Sequence, residues 1–414
     1  MLQLCVDAYN KKLPQYKKME QYYSGVTDMR NKYIKTDRAN NIVEPNFMKQ
    51  FINEELSYLL GNKITYISKT SNTESIEDIK RNLYNWSNNH DKELMKAALI
   101  FGESYELYYI DNNVRFSSRI CTPLNSYIYY DENGEVEAFL YFYKKLFDDT
   151  LYMNLWESNT VKYYNADTLM LLSEESHIFN FVPVSICKIG ENETIFNDMK
   201  GLQDAYSQVI SDLVNEIADN RNAFLIFDGE VPTNEELTKM KKYGAIGGGV
   251  GVSWLIKNIN DSFVQNMLIT LERDMLKVTS HIDFQEKLQS NSSSLALRTR
   301  LISLENKVKG EASALIDAIE DRIVALFYYL KIKENKQYDN YDIEPKITLS
   351  LPQDDIMIAQ ISSQMGDRIS TETLLSQLSF VDNPLNEINK IKAEKDSDRI
   401  DLDNIPDDEG VINE

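Results

Sequence analysis

The chain has 414 residues, of which 43% are hydrophobic and 11% aromatic, and its 44 basic and 65 acidic residues give a formal net charge of −21. This apolar content excludes a disordered chain, and the length suits two or three domains. The negative charge repels nucleic acid at long range, so we do not expect a sequence-specific DNA-binding protein, although a protein that loosely surrounds DNA is compatible with it.

The first hundred residues are predicted to be mainly helical, because apolar residues recur there at every third or fourth position. Pro45 and Gly61 mark the start and the end of one of these helices. One short strand, at residues 64–68, interrupts the helical pattern. The predicted helices span residues 2–24, 46–60, 75–90 and 91–102.

The pattern changes to β-structure between Ser104 and Leu172, where aromatic and apolar residues alternate with polar ones. The segment Asp131–Gly134 predicts a tight hairpin turn between two of the strands. The many tyrosines of this region are interpreted as half-buried strand residues. A last strand is predicted at residues 181–187.

Two long helices, at residues 198–222 and 261–280, are predicted to bracket a compact α/β insert at residues 223–258. The insert contains the glycine-rich segment Gly244–Gly251. This segment lacks the lysine and the following helix of a phosphate-binding loop, so it predicts a tight connection before a strand.

A polar loop, His281–Ser294, leads into the longest predicted helix, which runs from Leu295 to Leu330. At 1.5 Å per residue this helix is roughly 54 Å long. We expect neighbouring subunits to cover its apolar stripe, because the helix is too long for a small globular domain. The stripe consists of Leu301, Leu304, Val308, Ala312, Leu315, Ile319, Ile323 and Leu326.

The last eighty residues are predicted to hold one strand, at residues 343–351, and then short helices. The helices are expected at residues 355–364, 371–378 and 384–395. Residues 396–414 are acidic and poor in apolar side chains, which predicts a disordered tail.

The sequence contains no arrangement typical of an active site or a metal site. His90, His177 and His281 are isolated, and no serine lies in a nucleophile elbow. Cys5, Cys121 and Cys187 form no pair, which fits a reducing compartment. We therefore expect no catalytic residue, no metal and no cofactor. The first residues do not resemble a secretory signal, and the apolar runs are too short to span a bilayer.

The basic residues have two possible roles that the sequence leaves open: a solvated surface, or non-specific contact with a phosphate backbone. One group belongs to the insert and one flanks the polar loop. They are Lys239, Lys241, Lys242 and Lys257, and Lys287, Arg298 and Arg300.

The order of these elements resembles that of the portal proteins of tailed bacteriophages, specifically the family typical of siphophages of Gram-positive hosts. The segments that carry the resemblance are Tyr22–Gly25 with Asn40, Asn41 and Asn46–Gly61, then Ala97–Tyr109, Asp198–Asn222, Ser292–Arg298 and Ile369–Asp382. The family usually has a Ser-Gly pair where its tunnel loop meets its tunnel helix, and Ser294 replaces that glycine here.

The resemblance implies an α+β portal fold with wing, stem, clip and crown regions and long helices around a ring channel. The implied regions are a wing at 1–197, a first stem helix at 198–222, a clip at 223–258, a second stem helix at 259–280, a tunnel loop at 281–294, a tunnel helix at 295–334, a wing-associated strand at 335–352, a crown at 353–395 and the acidic tail at 396–414.

The resemblance also implies which residues meet partners. The tunnel loop would face DNA through His281, Lys287, Gln289, Ser290, Asn291, Ser292, Ser293, Ser294 and Arg298. The clip would contact the packaging motor and the head-completion adaptor through Lys239, Lys241, Lys242, Gly247, Gly248, Gly249, Trp254 and Lys257.

The implied function is that of a non-enzymatic homo-oligomer, usually a dodecamer, at one capsid vertex of a virion assembled in the host cytoplasm. Its expected partners are the large terminase subunit, the head-completion adaptor, the major capsid and scaffolding proteins, and double-stranded DNA that passes non-specifically, with no membrane. Two alternatives stay open from the sequence: a structural ring of a phage-derived particle that packages no genome, and a soluble enzyme with a dispersed active site.

Overall fold

The fold was analysed in a computed structural model, which describes residues 1–32, 39–190, 192–220, 224–227, 233–236, 238, 252–255, 261–283, 294–350, 364, 370–375 and 387–394. These residues form a mixed α+β structure, which confirms the predicted fold class. The chain divides into two compact units: residues 1–292 with 296–350, and residues 293–295 with 351–414.

Five helices are described in the N-terminal part of the chain, and side chains cap the start of two of them. Their bounds are α1 Leu2–Tyr23, α2 Met29–Lys32, α3 Phe47–Leu60, α4 Thr73–Leu83 and α5 His90–Phe101. The Asn46 side chain accepts a hydrogen bond from the Lys49 amide at 3.0 Å, and Asn72 caps α4 in the same way. Gly102 ends α5 with φ +86°, a conformation that glycine adopts without strain. The helix predicted at residues 75–90 ends early, at Leu83.

The β region forms two antiparallel sheets. The first is a five-stranded meander in the order β4 Ser126–Tyr130, β5 Val136–Lys144, β6 Leu151–Trp156, β7 Thr160–Asn165 and β8 Leu171–Ser176. The second has the order β3 Phe116–Cys121, β2 Glu103–Ile110 and β9 Val184–Lys188. The predicted hairpin turn is confirmed: the Asp131 side chain accepts from the Asn133 and Glu135 amides, and Gly134 has φ +85°.

The five-stranded sheet is the middle layer of a sandwich, because alternate residues of its strands point to opposite faces. On one face Leu140 and Phe142 pack against α1, where the Tyr9 and Phe142 rings stack with centroids 4.2 Å apart. On the other face Phe139 packs against Tyr105 and Val184 of the three-stranded sheet. Both faces of β5 are therefore buried, and this is where the core of the sandwich lies.

A two-stranded ladder connects distant parts of the chain. Its strands are β1 Thr65–Ser68 and β12 Ile343–Lys346. Asp342 stabilises the junction, because its carboxylate accepts hydrogen bonds from Ser68 Oγ at 2.6 Å and from the Thr70 amide at 2.7 Å. The strand predicted at residues 343–351 is shorter than expected.

The long helices of the predicted stem are α6 Ile195–Asn220 and α7 Asp261–Val278, which pack against each other. Helix α6 begins three residues before the predicted Asp198, because Thr194 caps it: Thr194 Oγ1 accepts from the Asn197 amide at 3.4 Å. Between the two helices, β10 Phe224–Phe227 and β11 Val252–Leu255 form an antiparallel pair.

The longest helix, α8, spans Ser294–Glu334 and has 41 residues, which corresponds to about 62 Å. All eight residues of its predicted stripe are buried, at most 8% exposed. The expectation that neighbouring subunits are needed to cover this stripe is wrong. The reason is that α8 packs along its own sandwich, where the rings of Phe116 and Tyr329 lie 5.8 Å apart.

The second compact unit contains α9, Thr371–Leu375, which begins where a helix was predicted, and a helix at residues 387–394. The helix predicted at 355–364 and the tail at 396–414 lie outside the described residues, except for residue 364. Within the described part of the chain, none of the helices has the length and apolar character that a bilayer span requires.

Candidate functional site

Helix α6 buries a stripe of polar residues. These buried polar residues recur every fourth position and are Gln203, Ser207, Ser211 and Asn215. They bind the extended segment 39–45 through its backbone. Asn41 N donates to Asn215 Oδ1 at 2.6 Å, Val43 N donates to Ser211 Oγ at 2.9 Å, and Gln203 Nε2 donates to Pro45 O at 2.7 Å.

Several large apolar residues of the α6–α7 pair are exposed in the single chain. On α7, Phe263, Met267 and Ile269 expose 65%, 40% and 51% of their surface, and on α6 Ile217 exposes 58%. Among the hydrophobic residues of α7 whose burial is described, Met275 alone is buried. Phe263 and Met267 are one helical turn apart and share a face of α7. Large exposed apolar side chains on paired helices are typical of a surface that another protein chain covers.

The loop that follows α7 begins in a buried position. His281 was predicted to face DNA, and the structure contradicts this prediction because the side chain is enclosed. Its ring stacks on Phe51 of α3 with centroids 4.4 Å apart, and its ring nitrogens lie 2.9 Å from Thr279 O and 3.2 Å from Phe51 O. Burial, together with the nearby Lys307 cation, lowers the pKa of His281 to about 4, so the ring is neutral at pH 7.

Beside His281 lies a cluster of charged groups that joins α3 to α8. Lys307 Nζ is 2.6 Å from Glu55 Oε1 and 3.9 Å from Glu311 Oε1, and it donates to Thr279 O at 3.3 Å. Burial raises the pKa of Glu55, and burial with the charge of Glu55 raises the pKa of Glu311 to about 8. The start of the predicted loop is thus held in place by contacts among the end of α7, helix α3 and helix α8.

A second buried network attaches α8 to the three-stranded sheet. Arg322 Nε donates to Glu106 Oε2 at 2.9 Å, and its guanidinium lies 2.8 Å from Asp91 Oδ1. Tyr108 OH donates to Glu106 Oε2 at 3.1 Å, and His90 Nε2 lies 2.6 Å from Glu106 Oε1. Burial alone would raise the pKa of Glu106, but Arg322 and these hydrogen bonds hold it at about 2.

The remaining predicted site residues are only partly described. Trp254 lies in β11, opposite Leu225 in β10, and Ser294 and Arg298 lie in the first turns of α8, so Ser294 begins the helix and does not end the loop. Outside the described residues lie the loop residues Lys287, Gln289, Ser290, Asn291, Ser292 and Ser293, and the clip residues Lys239, Lys241, Lys242, Gly247, Gly248, Gly249 and Lys257. Arg300, which belongs with Arg298 to the basic group that flanks the loop, also lies in α8.

Sequence reasoning missed the charged residues that organise this region, although a signal was present. Lys307, Glu311 and Arg322 each lie three residues after a member of the apolar stripe, namely Leu304, Val308 and Ile319, so they belong to the same face of α8. A charge in phase with an apolar stripe indicates a buried partner. The partners, Glu55 and Glu106, could not be identified from the sequence because they are far away along the chain.

The described residues contain no group of three or more His, Cys, Asp or Glu side chains that could hold a metal ion. They do contain three free cysteines, Cys5, Cys121 and Cys187, all of them buried.

Comparisons with known proteins identify a family for almost the whole chain. The family of phage portal proteins of the SPP1 Gp6-like type matches residues 2–400. Among solved structures, a chain from the neck of an empty gene transfer agent (GTA) particle, computed with C6 symmetry, superimposes with a TM-score of 0.52 at 12% identity, over 85% of this chain and 94% of that chain. At this identity the likeness shows a shared fold.

A chain from the virion of a native GTA particle has a TM-score of 0.48 at 12% identity, with 85% of this chain and 94% of that chain covered. The search of curated proteins produced no match.

Proposed function

The chain belongs to the phage portal protein family of the SPP1 Gp6-like type, and from this membership we propose how its elements build and use a portal ring. The protein is a component of the virion, where a ring of portal subunits at one capsid vertex forms the channel for DNA packaging and ejection. The family is a structural one. We infer that this member is likewise not an enzyme and that the packaging motor supplies the ATP hydrolysis.

We assign the regions of the chain as the resemblance implied. Residues 1–197 are the wing, to which residues 335–352 are attached, and the pairing of β1 with β12 supports this attachment. Residues 198–222 and 259–280 are the stem helices, and residues 223–258 between them are the clip. Residues 281–293 are the tunnel loop and 294–334 the tunnel helix, because Ser294 begins α8. The crown at 353–395 and the tail at 396–414 follow.

The observation that carries the proposed assembly is the exposed apolar surface of the stem helices. Helix α8 buries its stripe within the chain, whereas Phe263, Met267 and Ile269 of α7 expose much of their surface to solvent. We propose that the α6–α7 pair of one subunit packs against that of the next, and that the closed ring has twelve subunits. Repeated contacts of this kind between identical chains close into a ring when the rotation between neighbours allows it.

The proposed contact with DNA is electrostatic and weak. The net charge of −21 disfavours tight binding of the duplex, which suits a channel through which DNA must slide. In this proposal the tunnel loop from Lys287 to Ser293, with Ser294 and Arg298 at the start of α8, provides the sequence-independent contact. His281 is excluded from that role by its burial.

The proposed protein partners follow the same assignment. The clip binds the large terminase subunit during packaging and the head-completion adaptor afterwards. Trp254, one of the proposed contact residues of the clip, lies on β11. The major capsid and scaffolding proteins surround the wing. These partners are proposed from family membership, and none of them is present in the structure.

A loop deletion tests the proposed function directly. Removal of residues 289–294 is expected to leave ring formation intact and to reduce packaging of DNA into particles, measured as nuclease-protected DNA per capsid. The control replaces the same residues by a Gly/Ser segment of equal length, which should retain much of the packaging. Normal packaging in the deletion variant would contradict the tunnel-loop assignment. Wild-type particles that contain rings but no protected DNA would favour a particle that packages no genome.

A further inference from the structure

The buried charges beside His281 do not balance. Glu55 of α3 is fully enclosed and Glu311 of α8 is nearly so, and among the described residues Lys307 is the one basic side chain that both of them contact. Within the described part of the chain, neither Glu55 Oε2 nor Glu311 Oε2 has a hydrogen-bond partner. Two ionised carboxylates beside one ammonium group would leave an uncompensated buried negative charge, which is costly in a protein interior.

We propose that Glu55, Glu311 and Lys307 form a proton-binding site, and that the bound proton keeps the end of α7 packed against α3 and α8. With one proton held by the two carboxyl groups, the cluster is neutral. Lys307 then compensates the remaining carboxylate. We assign this carboxylate to Glu55, because Lys307 lies closer to Glu55 than to Glu311. The raised pKa of Glu311, about 8, agrees with a carboxyl group that is protonated at pH 7.

The other charged groups around the cluster do not remove the need for the proton. From α3, Glu54 adds negative charge, and from α6, Asp198 does the same, since each raises the pKa of Glu55. Glu193, which precedes α6, raises the pKa of Asp198 in turn. From the end of α7, His281 contributes no positive charge near pH 7, because its pKa is lowered to about 4. Glu54 and Asp198 therefore favour protonation of the cluster, whereas Lys307 opposes it.

The site holds the residues from which the loop departs. Lys307 Nζ donates to Thr279 O at 3.3 Å, and His281 lies 3.8 Å from Glu55 Oε1. Loss of the proton makes the cluster negative, so water must enter and the contacts of Thr279 and His281 with α3 and α8 weaken. If residues 281–293 are the tunnel loop, which rests on the proposed function, the proton controls how firmly the base of that loop is held.

Hydrogen–deuterium exchange of the purified full-length protein tests this site without any packaging assay. With a pKa of about 8 when packed and the ordinary 4.5 when open, the opening equilibrium of the cluster should increase about ten-fold between pH 7 and pH 9. We expect this increase in peptides that cover residues 275–283, after correction for the intrinsic exchange rate at each pH.

Two variants separate proton binding from simple packing. In Glu311→Gln and in Glu55→Gln a single carboxyl group remains beside Lys307, so the pH dependence of exchange should disappear in both. The double variant E55Q/E311Q leaves Lys307 without a carboxylate and should exchange faster than either single variant at pH 7. The matched control is Glu320→Gln, an exposed position on the same helix, which should keep the ten-fold dependence.

The outcomes are decisive for the site and independent of DNA packaging. A wild-type protein without a change in exchange between pH 7 and pH 9 would overturn the proposal. So would single Gln variants that keep the wild-type pH dependence. Because either single variant suffices, failure of one of them to fold still leaves the other as a test.

Discussion

Arg322 and Glu106 are both buried, and they bind each other across 216 positions of the sequence, with Arg322 Nε donating to Glu106 Oε2 at 2.9 Å. Arg322 lies on α8 and Glu106 on β2, so the pair fixes the longest helix to the three-stranded sheet. Its geometry leaves little freedom, because the guanidinium also lies against Asp91 and over the Trp86 ring. The hydrophobic stripe sets which face of α8 is buried, and this pair sets its position along the sheet.

Replacement of Arg322 by methionine is expected to lower the free energy of unfolding by about 3–5 kcal/mol, because Glu106 would remain buried without its cation. Urea denaturation measures the change. The control is Arg81→Met, which removes an exposed arginine that pairs with Glu334 at 2.8 Å and should cost no more than about 1 kcal/mol. Equal losses in the two variants would show that the buried pair has no special role.

The same network predicts sensitivity to acid. The pKa of Glu106 is lowered to about 2 from an ordinary 4.5, so its ionised form stabilises the folded state fully above pH 4.5. That stabilisation is lost as the pH falls towards 2. The thermal midpoint of the wild type should therefore fall more steeply below pH 4.5 than that of Glu106→Gln. Glu137→Gln, at an exposed position on β5, should keep the wild-type slope, and a wild-type slope in Glu106→Gln would contradict the prediction.

The polar stripe of α6 predicts a local effect on segment 39–45. Asn215 makes three hydrogen bonds with Asn41, two with its backbone and one with its side-chain amide, and Asn215→Leu removes all three and leaves backbone groups of Asn41 unpaired. We expect a loss of about 1–3 kcal/mol and faster amide exchange in a peptide that covers residues 39–45. Gln208→Leu, at an exposed position of α6, is the control and should leave that peptide unchanged. Unchanged exchange in Asn215→Leu would mean that other contacts hold the segment.

The exposed side of α7 predicts a separation of folding from assembly. Phe263→Ser and Met267→Ser should leave the far-UV circular dichroism unchanged but reduce the fraction of rings, measured by light scattering after size-exclusion chromatography. Burial of a large apolar side chain contributes about 1.5–3 kcal/mol, so each change should weaken association more than ten-fold. Gln265→Ser on the same helix should form rings normally. Rings of normal mass in both apolar variants would place the subunit contact elsewhere.

The local elements of this protein were determined by its sequence. Periodicity and capping residues predicted α3, the Asp131–Gly134 hairpin and the stripe of α8 from side chains that interact within a few positions of each other. The same patterns, taken in order along the chain, carried the resemblance to portal proteins, which the family match over residues 2–400 confirms.

Only the tertiary structure decided which faces are buried and which charges meet. The polar residues of α6 are buried because segment 39–45 offers backbone partners, and the stripe of α8 is covered by its own chain. His281 is enclosed because Phe51 and Glu55 lie beside it, although 230 positions of the sequence separate His281 from Phe51. Such contacts depend on three-dimensional proximity between residues that are distant in the chain, and local periodicity carries no information about that proximity.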